Sequence, residues 1–428
     1  MRSFEKSEAL LERSERVIPL GSQTFSKSRT QYPVGVSPLF LQRGKGARVW
    51  DVDGNEYIDF VNSLLSITLG HGDPDVDAAV RAQLDDGVIL SLPHPLETEV
   101  AERICAIVPC AEMVRFGKNG SDATSGAIRI ARAFTGRDHV AVCGYHGWQD
   151  WYIGSTARNK GVPEATRALT HGFMYNDLAS LEAVFAAQPG AIAAVILEPM
   201  NVEWPAPGFL EGVRELATRH GAVLVFDETI TGFRMAAGGA QELFGVTPDL
   251  ATFGKGLANG YPLAAVAGRR DIMMMMEEVF YSFTFGGEML SLAAARAVLD
   301  KLVREPVLST IDARGTRLLG GLGKLIEEHQ LSHLFAAKGH PSWTFLTIAD
   351  APGASAFEMK TLLMQELHQH GFLSVGSHNI SYAHTDADID ALLDAYRVIL
   401  PMIGGAVAAG DLSSKLRCAP LVPLFKVR

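Results

Sequence analysis

Apolar and polar positions change their rhythm twice along this chain. Residues 3–18 have helix-forming composition and run into Pro19-Leu20-Gly21. Residues 47–60 read as a hairpin, with Arg48-Val49-Trp50-Asp51 and Tyr57-Ile58-Asp59-Phe60 flanking the turn Asp53-Gly54-Asn55. From about residue 62, helix-like segments (121–134, 178–187, 210–220) alternate with short apolar runs (140–143, 191–197, 222–226). Gly221 stops the last of these helices. Apolar runs with no polar alternation belong to strands covered on both faces, so this stretch predicts an α/β domain with a parallel sheet between helices.

After about residue 310 the pattern shifts again. Residues 342–348 and 380–382 read as strands and 356–370 and 386–400 as helices, which suits a smaller α+β domain packing with the N-terminal hairpin. The expected division is 1–61 and 311–428 as two parts of the small domain, with 62–310 as the large one. Met273 to Met276 read as core filler on a helix. The tail, 411–428, has no pattern to interpret.

Composition narrows the classes. The chain has 428 residues, enough for one large or two medium domains with real cores. Its formal net charge of -10 and lack of a Lys/Arg-rich run argue against nucleic-acid binding. No apolar run approaches a membrane span; the best, 392–409, is broken by Asp394 and Arg397. Residues 1–16 alternate charges without the apolar core of a signal peptide. Cys105, Cys110, Cys143 and Cys418 show neither CxxC spacing nor disulfide density. A soluble cytoplasmic protein without a metal site is expected.

The chemistry gathers where strands end, the place where open α/β sheets hold ligands. The run 191–197 ends in Glu198-Pro199, 222–226 in Asp227-Glu228, and 249–253 in Gly254-Lys255. A lysine held between glycines can present its amine at one point, and desolvation can strip its charge for Schiff-base chemistry; a solvated loop lysine is the alternative. Asp227, after Val223-Leu224-Val225-Phe226, calls for a cationic partner or serves as a helix cap. Gly120-Ser121-Asp122 opens a helix, giving a phosphate site or a plain serine cap. Tyr145-His146-Gly147-Trp148 follows another strand, so Tyr145 can stack on a flat ligand or pack in the core, and His146 can be structural. Together these groups describe one ligand with a phosphate, a protonatable planar ring and an aldehyde, which is pyridoxal 5′-phosphate (PLP).

At these residues the chain resembles the class III PLP-dependent aminotransferases, and among them the glutamate-1-semialdehyde 2,1-aminomutases most closely. The resemblance spans roughly residues 33–400 and is densest from Phe209-Leu210-Glu211-Gly212 through Thr231-Gly232-Phe233-Arg234 to Lys255. It implies PLP-dependent transferase fold type I: a large domain with a mainly parallel seven-stranded sheet, and a smaller α+β domain built from both termini. It places the Schiff-base lysine on Lys255, the pyridinium carboxylate on Asp227 and the stacking aromatic on Tyr145. The phosphate stretch falls on Asn119, Gly120 and Ser121, with Asp122 where a glutamate is usual. His146 and Glu198 join the expected cofactor set. Thr284 is expected to reach the phosphate from the neighbouring subunit of a homodimer.

The substrate half departs from the aminomutase pattern. Thr24-Phe25-Ser26-Lys27-Ser28-Arg29 replaces a Ser-Pro-Val-Arg-like segment, and Asn62-Ser63-Leu64-Leu65 lacks the usual tryptophan. Glu288-Met289 replaces Asn-Pro, and Gly376-Ser377-His378-Asn379 differs from the usual late segment. Lys27, Arg29, Leu64 and His378 are the candidate substrate residues, and Arg234 is another cation that could pair with a substrate anion. The implied activity moves an amino group from a donor, glutamate by analogy, to a carbonyl acceptor, with a sugar-derived one as candidate. The alternatives are a true aminomutase and a PLP-binding scaffold without catalysis.

Overall fold

The structure, a computed structural model, describes residues 2–422. These form two compact units, one from residues 2–73 and 309–422, the other from residues 74–308. The first is called the terminal unit and the second the central unit.

The terminal unit begins with three strands, β1 (Leu41–Lys45), β2 (Arg48–Asp51) and β3 (Glu56–Asp59), the last two forming the expected hairpin. The central unit carries seven: β4 (Met113–Gly117), β5 (His139–Cys143), β6 (Thr170–Gly172), β7 (Ile192–Leu197), β8 (Val223–Asp227), β9 (Leu250–Phe253) and β10 (Ala264–Gly268). Their order is β4-β10-β9-β8-β7-β5-β6. The five strands from β9 to β6 are parallel, and β10 runs antiparallel to both neighbours.

Every residue of β7, β8 and β9 is buried, as unbroken apolar runs require. Alternate side chains divide between the two faces. Ala194, Ile196 and Val225 pack with Ile128 and Ala131 of the helix Gly120–Thr135. Val195, Leu197, Leu224 and Phe226 pack with the helices Leu178–Ala187 and Phe209–His220. Each such side chain contributes about 1.5–3 kcal/mol by leaving water. Gly221, at φ +62°, ends the helix Phe209–His220 in the left-handed conformation that favours glycine. Met273 and Met276 are buried in the central core.

The terminal unit is completed by β11 (Phe335–His340), β12 (Trp343–Ile348), β13 (Phe372–Leu373) and β14 (Ser377–Asn379). β13 adds to β3 in parallel, closing the sheet β1-β2-β3-β13, and β11-β12-β14 form a second sheet. The strand expected at 380–382 lies earlier, at Ser377–Asn379. The backbone N–H and side-chain hydroxyl of Ser381 both lie 2.9 Å from His384 Nδ1, which turns the chain there. The helix expected over 386–400 runs as Asp386–Ala409, continuing through Pro401 to a left-handed Gly410. It is long and apolar enough to cross a membrane, yet Leu392, Tyr396, Ile399, Leu400 and Ile403 are buried in the unit.

One turn of this unit is left-handed. Asn62, Ser63, Leu64 and Leu65 have φ of 45°, 49°, 60° and 71°. Asp59 Oδ1 accepts the N–H groups of Val61 and Asn62, each at 2.9 Å. Asn379 donates from its backbone to Phe60 O at 2.8 Å and from its side chain to Val61 O at 2.5 Å. Asn62 Nδ2 donates in return to Asn379 O.

Candidate active site

The central sheet fixes the site by strand order. β9, β8, β7 and β5 are neighbours, so whatever follows their carboxyl ends is brought together. Lys255, Asp227, Glu198 and Tyr145 follow or end those strands. With Gly120 and Ser121 they line one cavity of about 280 Å³ within the central unit. That is near the lower end of the range of roughly 300–1,000 Å³ common for small-molecule sites.

Asp227 is 4% exposed and has three polar contacts: Thr252 Oγ1 donates to its Oδ1 at 3.0 Å, Thr229 N at 3.1 Å, and His146 Nδ1 lies 2.8 Å from its Oδ2. Burial by itself pushes this carboxyl up; the hydrogen bond and charge of His146 outweigh it and hold Asp227 below the usual carboxylate range. The other ring nitrogen, Nε2, lies 3.2 Å from Cys143 O, which can only accept, so Nε2 carries a proton.

Two glycines permit this packing. A Cβ on Gly144 would come within 2.5 Å of Glu198 Oε2, and one on Gly147 within 2.2 Å of Ser121 Oγ. Both have φ above 100°, where side chains are rarely found. Glu198 is 6% exposed and accepts from Tyr145 N at 2.8 Å, holding the aromatic segment against its neighbouring strand.

The phosphate end is built from the helix Gly120–Thr135. Asn119 caps it in a reciprocal box with Asp122. The N–H groups of Gly120 and Ser121 have no partner among the described residues and open toward the cavity's end of the helix. Ser121 Oγ accepts from Trp148 N at 3.2 Å, which leaves its own proton for a ligand oxygen. Asp122 is a correction to the expected cofactor set. Its Oδ2 accepts from the backbone N–H groups of Lys118 and Asn119 at 3.0 and 3.1 Å, and it does not line the cavity.

Lys255 is half-buried and has φ +42°, in a short turn Lys255–Ala258 entered through Gly254. A non-glycine residue in this conformation costs on the order of 1–3 kcal/mol and is kept only where the surroundings over-determine it. The donor set therefore matches a phosphate at the helix end, a protonated ring nitrogen at Asp227 and an aldehyde at Lys255, which is the pattern of PLP.

The remaining expected residues are placed elsewhere. Thr284 is exposed and outside this cavity. Lys27 Nζ donates to Ser63 Oγ at 3.0 Å in a separate cavity of about 340 Å³ in the terminal unit. Arg29 is ion-paired with Glu15, and Leu64 packs against the core cluster of Phe4, Tyr32 and Tyr57. Arg234 is 2% exposed, and burial pushes its guanidinium down to about 10, so it is a core residue of the central unit. His378 is fully buried, its Nδ1 2.9 Å from Thr344 Oγ1 and its Nε2 2.6 Å from Tyr396 OH. Both ring nitrogens are spent inside the terminal unit, so the expected substrate role is corrected to a structural one.

Thr252 and Thr124 were not foreseen. Thr252 stands directly opposite Asp227 in the parallel register of β8 and β9, and Thr124 Oγ1 donates to His146 O at 2.8 Å. Strand register was the only signal for Thr252, and one sequence does not reveal it.

Comparison with known proteins finds relatives along most of the chain. Residues 31–397 match the family model for aminotransferase class-III. The chain is 36% identical over 402 residues to 3-aminobutyryl-CoA aminotransferase of Cloacimonas acidaminovorans, covering 92% of this chain and 96% of that one. It is 41% identical over 338 residues to glutamate-1-semialdehyde 2,1-aminomutase of Syntrophobacter fumaroxidans, covering 75% and 78%. Among solved structures it is similar to the FumI protein of Sphingopyxis sp. MTA144 in its PLP internal aldimine form, with a TM-score of 0.88, 31% identity and coverage of 95% and 98%.

Proposed function

The chain belongs to the class III aminotransferases, PLP-dependent enzymes of fold type I, and from that premise we propose a transaminase that takes an amino group from glutamate and gives it to a small carbonyl acceptor. The observation that carries the reading is the convergence of Lys255, Asp227 and the open end of the helix Gly120–Thr135 on one cavity. When bound, PLP supplies an aldehyde for amine exchange and a protonated ring that draws electron density from the carbon losing its proton.

The chain's own residues do the rest. Gly120 N–H, Ser121 N–H and Ser121 Oγ hold the phosphate, assisted by the helix dipole. Asp227, kept ionised by His146, holds a proton on the ring nitrogen. Tyr145 supports the ring face, and Glu198 fixes Tyr145 through its backbone. Lys255 Nζ would accept the proton leaving the donor's alpha carbon as a general base and, as a general acid, would give it up again to the bound cofactor.

The acceptor we favour is a sugar-derived carbonyl, and Lys27 is the candidate cation for a substrate anion. A homodimer completes the proposal, with Thr284 of one subunit serving the other. Phe280, Phe283 and Phe285 flank Thr284 with 81%, 37% and 58% of their surface exposed, the kind of apolar patch that a partner covers. A cytoplasmic location suits four free cysteines.

Glutamate added to the PLP-loaded enzyme is expected to bleach the visible band of the bound cofactor. Lys255→Ala is expected to remove that response and lower turnover by at least about 10³-fold. Survival of turnover in this variant would defeat the mechanism. The high identity to an aminomutase supports a second reading, internal transfer within one substrate. Incubation with glutamate semialdehyde and no acceptor separates the two, because 5-aminolevulinate forms only in the second.

A further inference from the structure

Another cavity of the terminal unit, apart from the PLP site and from the cavity at Lys27, holds a lysine in an apolar setting. It has a volume of about 360 Å³ and is walled by Phe345 of β12, Phe357 of the helix Ala356–Gln369, Val375 and Ser377, with Lys360 facing it from the same helix. Ala356 and Lys360 are four residues apart, so both fall on the helix face that borders the cavity. Lys360 Nζ has no hydrogen bond or ion pair among the described residues.

The nearby carboxylates are occupied elsewhere. Asp350 Oδ1 accepts from Ala356 N at 2.8 Å, and Glu358 Oε2 accepts from the backbone and hydroxyl of Ser355 at 2.9 and 2.8 Å. Among the polar walls, Thr347 Oγ1 donates to Ala336 O at 3.1 Å, and Ser377 O accepts from Ser374 Oγ, also at 3.1 Å. An amine lacking a counter-ion beside two phenyl rings and a valine is matched by a molecule with one negative end and one apolar end.

We propose that this cavity binds a small amphipathic monocarboxylate, its carboxylate on Lys360 Nζ and its apolar body against Phe345, Phe357 and Val375. Burial pushes the Lys360 amine below the ordinary lysine value, with no neighbouring charge contributing. A bound carboxylate favours the charged form, so the anion and the amine's proton reinforce each other's binding. The inference stands apart from the transaminase reading, since no residue of this cavity belongs to the PLP site.

The test uses PLP-loaded enzyme titrated with hexanoate by calorimetry, with hexylamine as control. Hexanoate is expected to bind, and hexylamine is not. Lys360→Met, which keeps the length and removes the charge, is expected to weaken hexanoate at least about tenfold. Lys360→Arg is expected to retain binding, which separates a charge effect from misfolding. Lys255→Ala is expected to bind hexanoate as the parent does. No binding at millimolar hexanoate, equal binding by Lys360→Met, or loss of binding in Lys255→Ala would each overturn the proposal.

Discussion

His146 of the central unit and three histidines of the terminal unit are buried in opposite ways. In the central unit His146 lies 2.8 Å from the carboxylate of Asp227 and keeps that carboxyl below its usual range. In the terminal unit His368, His378 and His384 are buried with no carboxylate in hydrogen-bond contact. Burial pushes them down to about 4, 3 and 4, so all three are neutral. His378 is held by two hydroxyls, His368 Nδ1 lies 3.3 Å from Val36 O, and His384 Nδ1 accepts from Ser381 N. The same ring thus faces a carboxylate at Asp227 and only neutral hydrogen-bond partners at these three positions. What decides is whether the neighbour is an anion that must stay ionised or a neutral group that only needs a partner.

Acid should break this symmetry most strongly. A histidine near pKa 6.5 when unfolded and near 4 when folded adds its full share of stability above pH 6.5, and loses it as the pH falls from there toward 4. The loss is on the order of 3 kcal/mol per ring. Asp227 behaves otherwise: its folded carboxyl lies below the ordinary 3.8, so its contribution is lost only as the pH falls below that value. Hydrogen exchange between pH 6.5 and 4 is expected to show amides of Trp343–Ile348 opening before those of Ile192–Leu197. Simultaneous opening would mean that the buried rings do not set the terminal unit's acid tolerance.

Asp227→Asn sharpens the other side. The amide keeps the shape and removes the charge that His146 and the ring nitrogen share. The glutamate half-reaction is expected to slow by about 10²–10³-fold, read by rapid-mixing absorbance, with the acid opening of the terminal unit unmoved. Unchanged kinetics would remove Asp227 from the mechanism. The smallest effect is expected from His378→Leu. It strands the hydroxyls of Thr344 and Tyr396 and should cost about 2 kcal/mol of terminal-unit stability in denaturant unfolding. The glutamate half-reaction per folded molecule should not change. A fall in that rate would return His378 to a substrate role.

Much of the central unit was legible because its strands are buried on both faces and so appear as bare apolar runs. β7, β8 and β9 were found that way, together with Glu198, Asp227 and Lys255 at their ends. The helix opening at Gly120 was readable, yet the cap is Asn119 and not the serine, and Asp122, expected among the cofactor residues, turns back to close it. A side chain's direction at a helix start depends on which N–H groups lack partners, and composition does not say. β14 was displaced to Ile380-Ser381-Tyr382 because short strands carry little pattern and His384 captures Ser381 from outside it. His378 was misread for a related reason. Its partners, Thr344 and Tyr396, come from elements 34 and 18 residues away.

The left-handed turn at Asn62–Leu65 has a consequence for the order in which the chain is made. Four consecutive non-glycine residues in that conformation are disfavoured by about 1–2 kcal/mol each. Beyond the local contacts of Asp59, the hydrogen bonds that hold them join Asn62 and Val61 to Asn379, 317 and 318 residues further on. A ribosome releases the first of these long before the last exists. The turn therefore has to wait, in some other shape, until nearly the whole protein has been synthesised, and the terminal unit is sealed by its oldest and newest segments meeting.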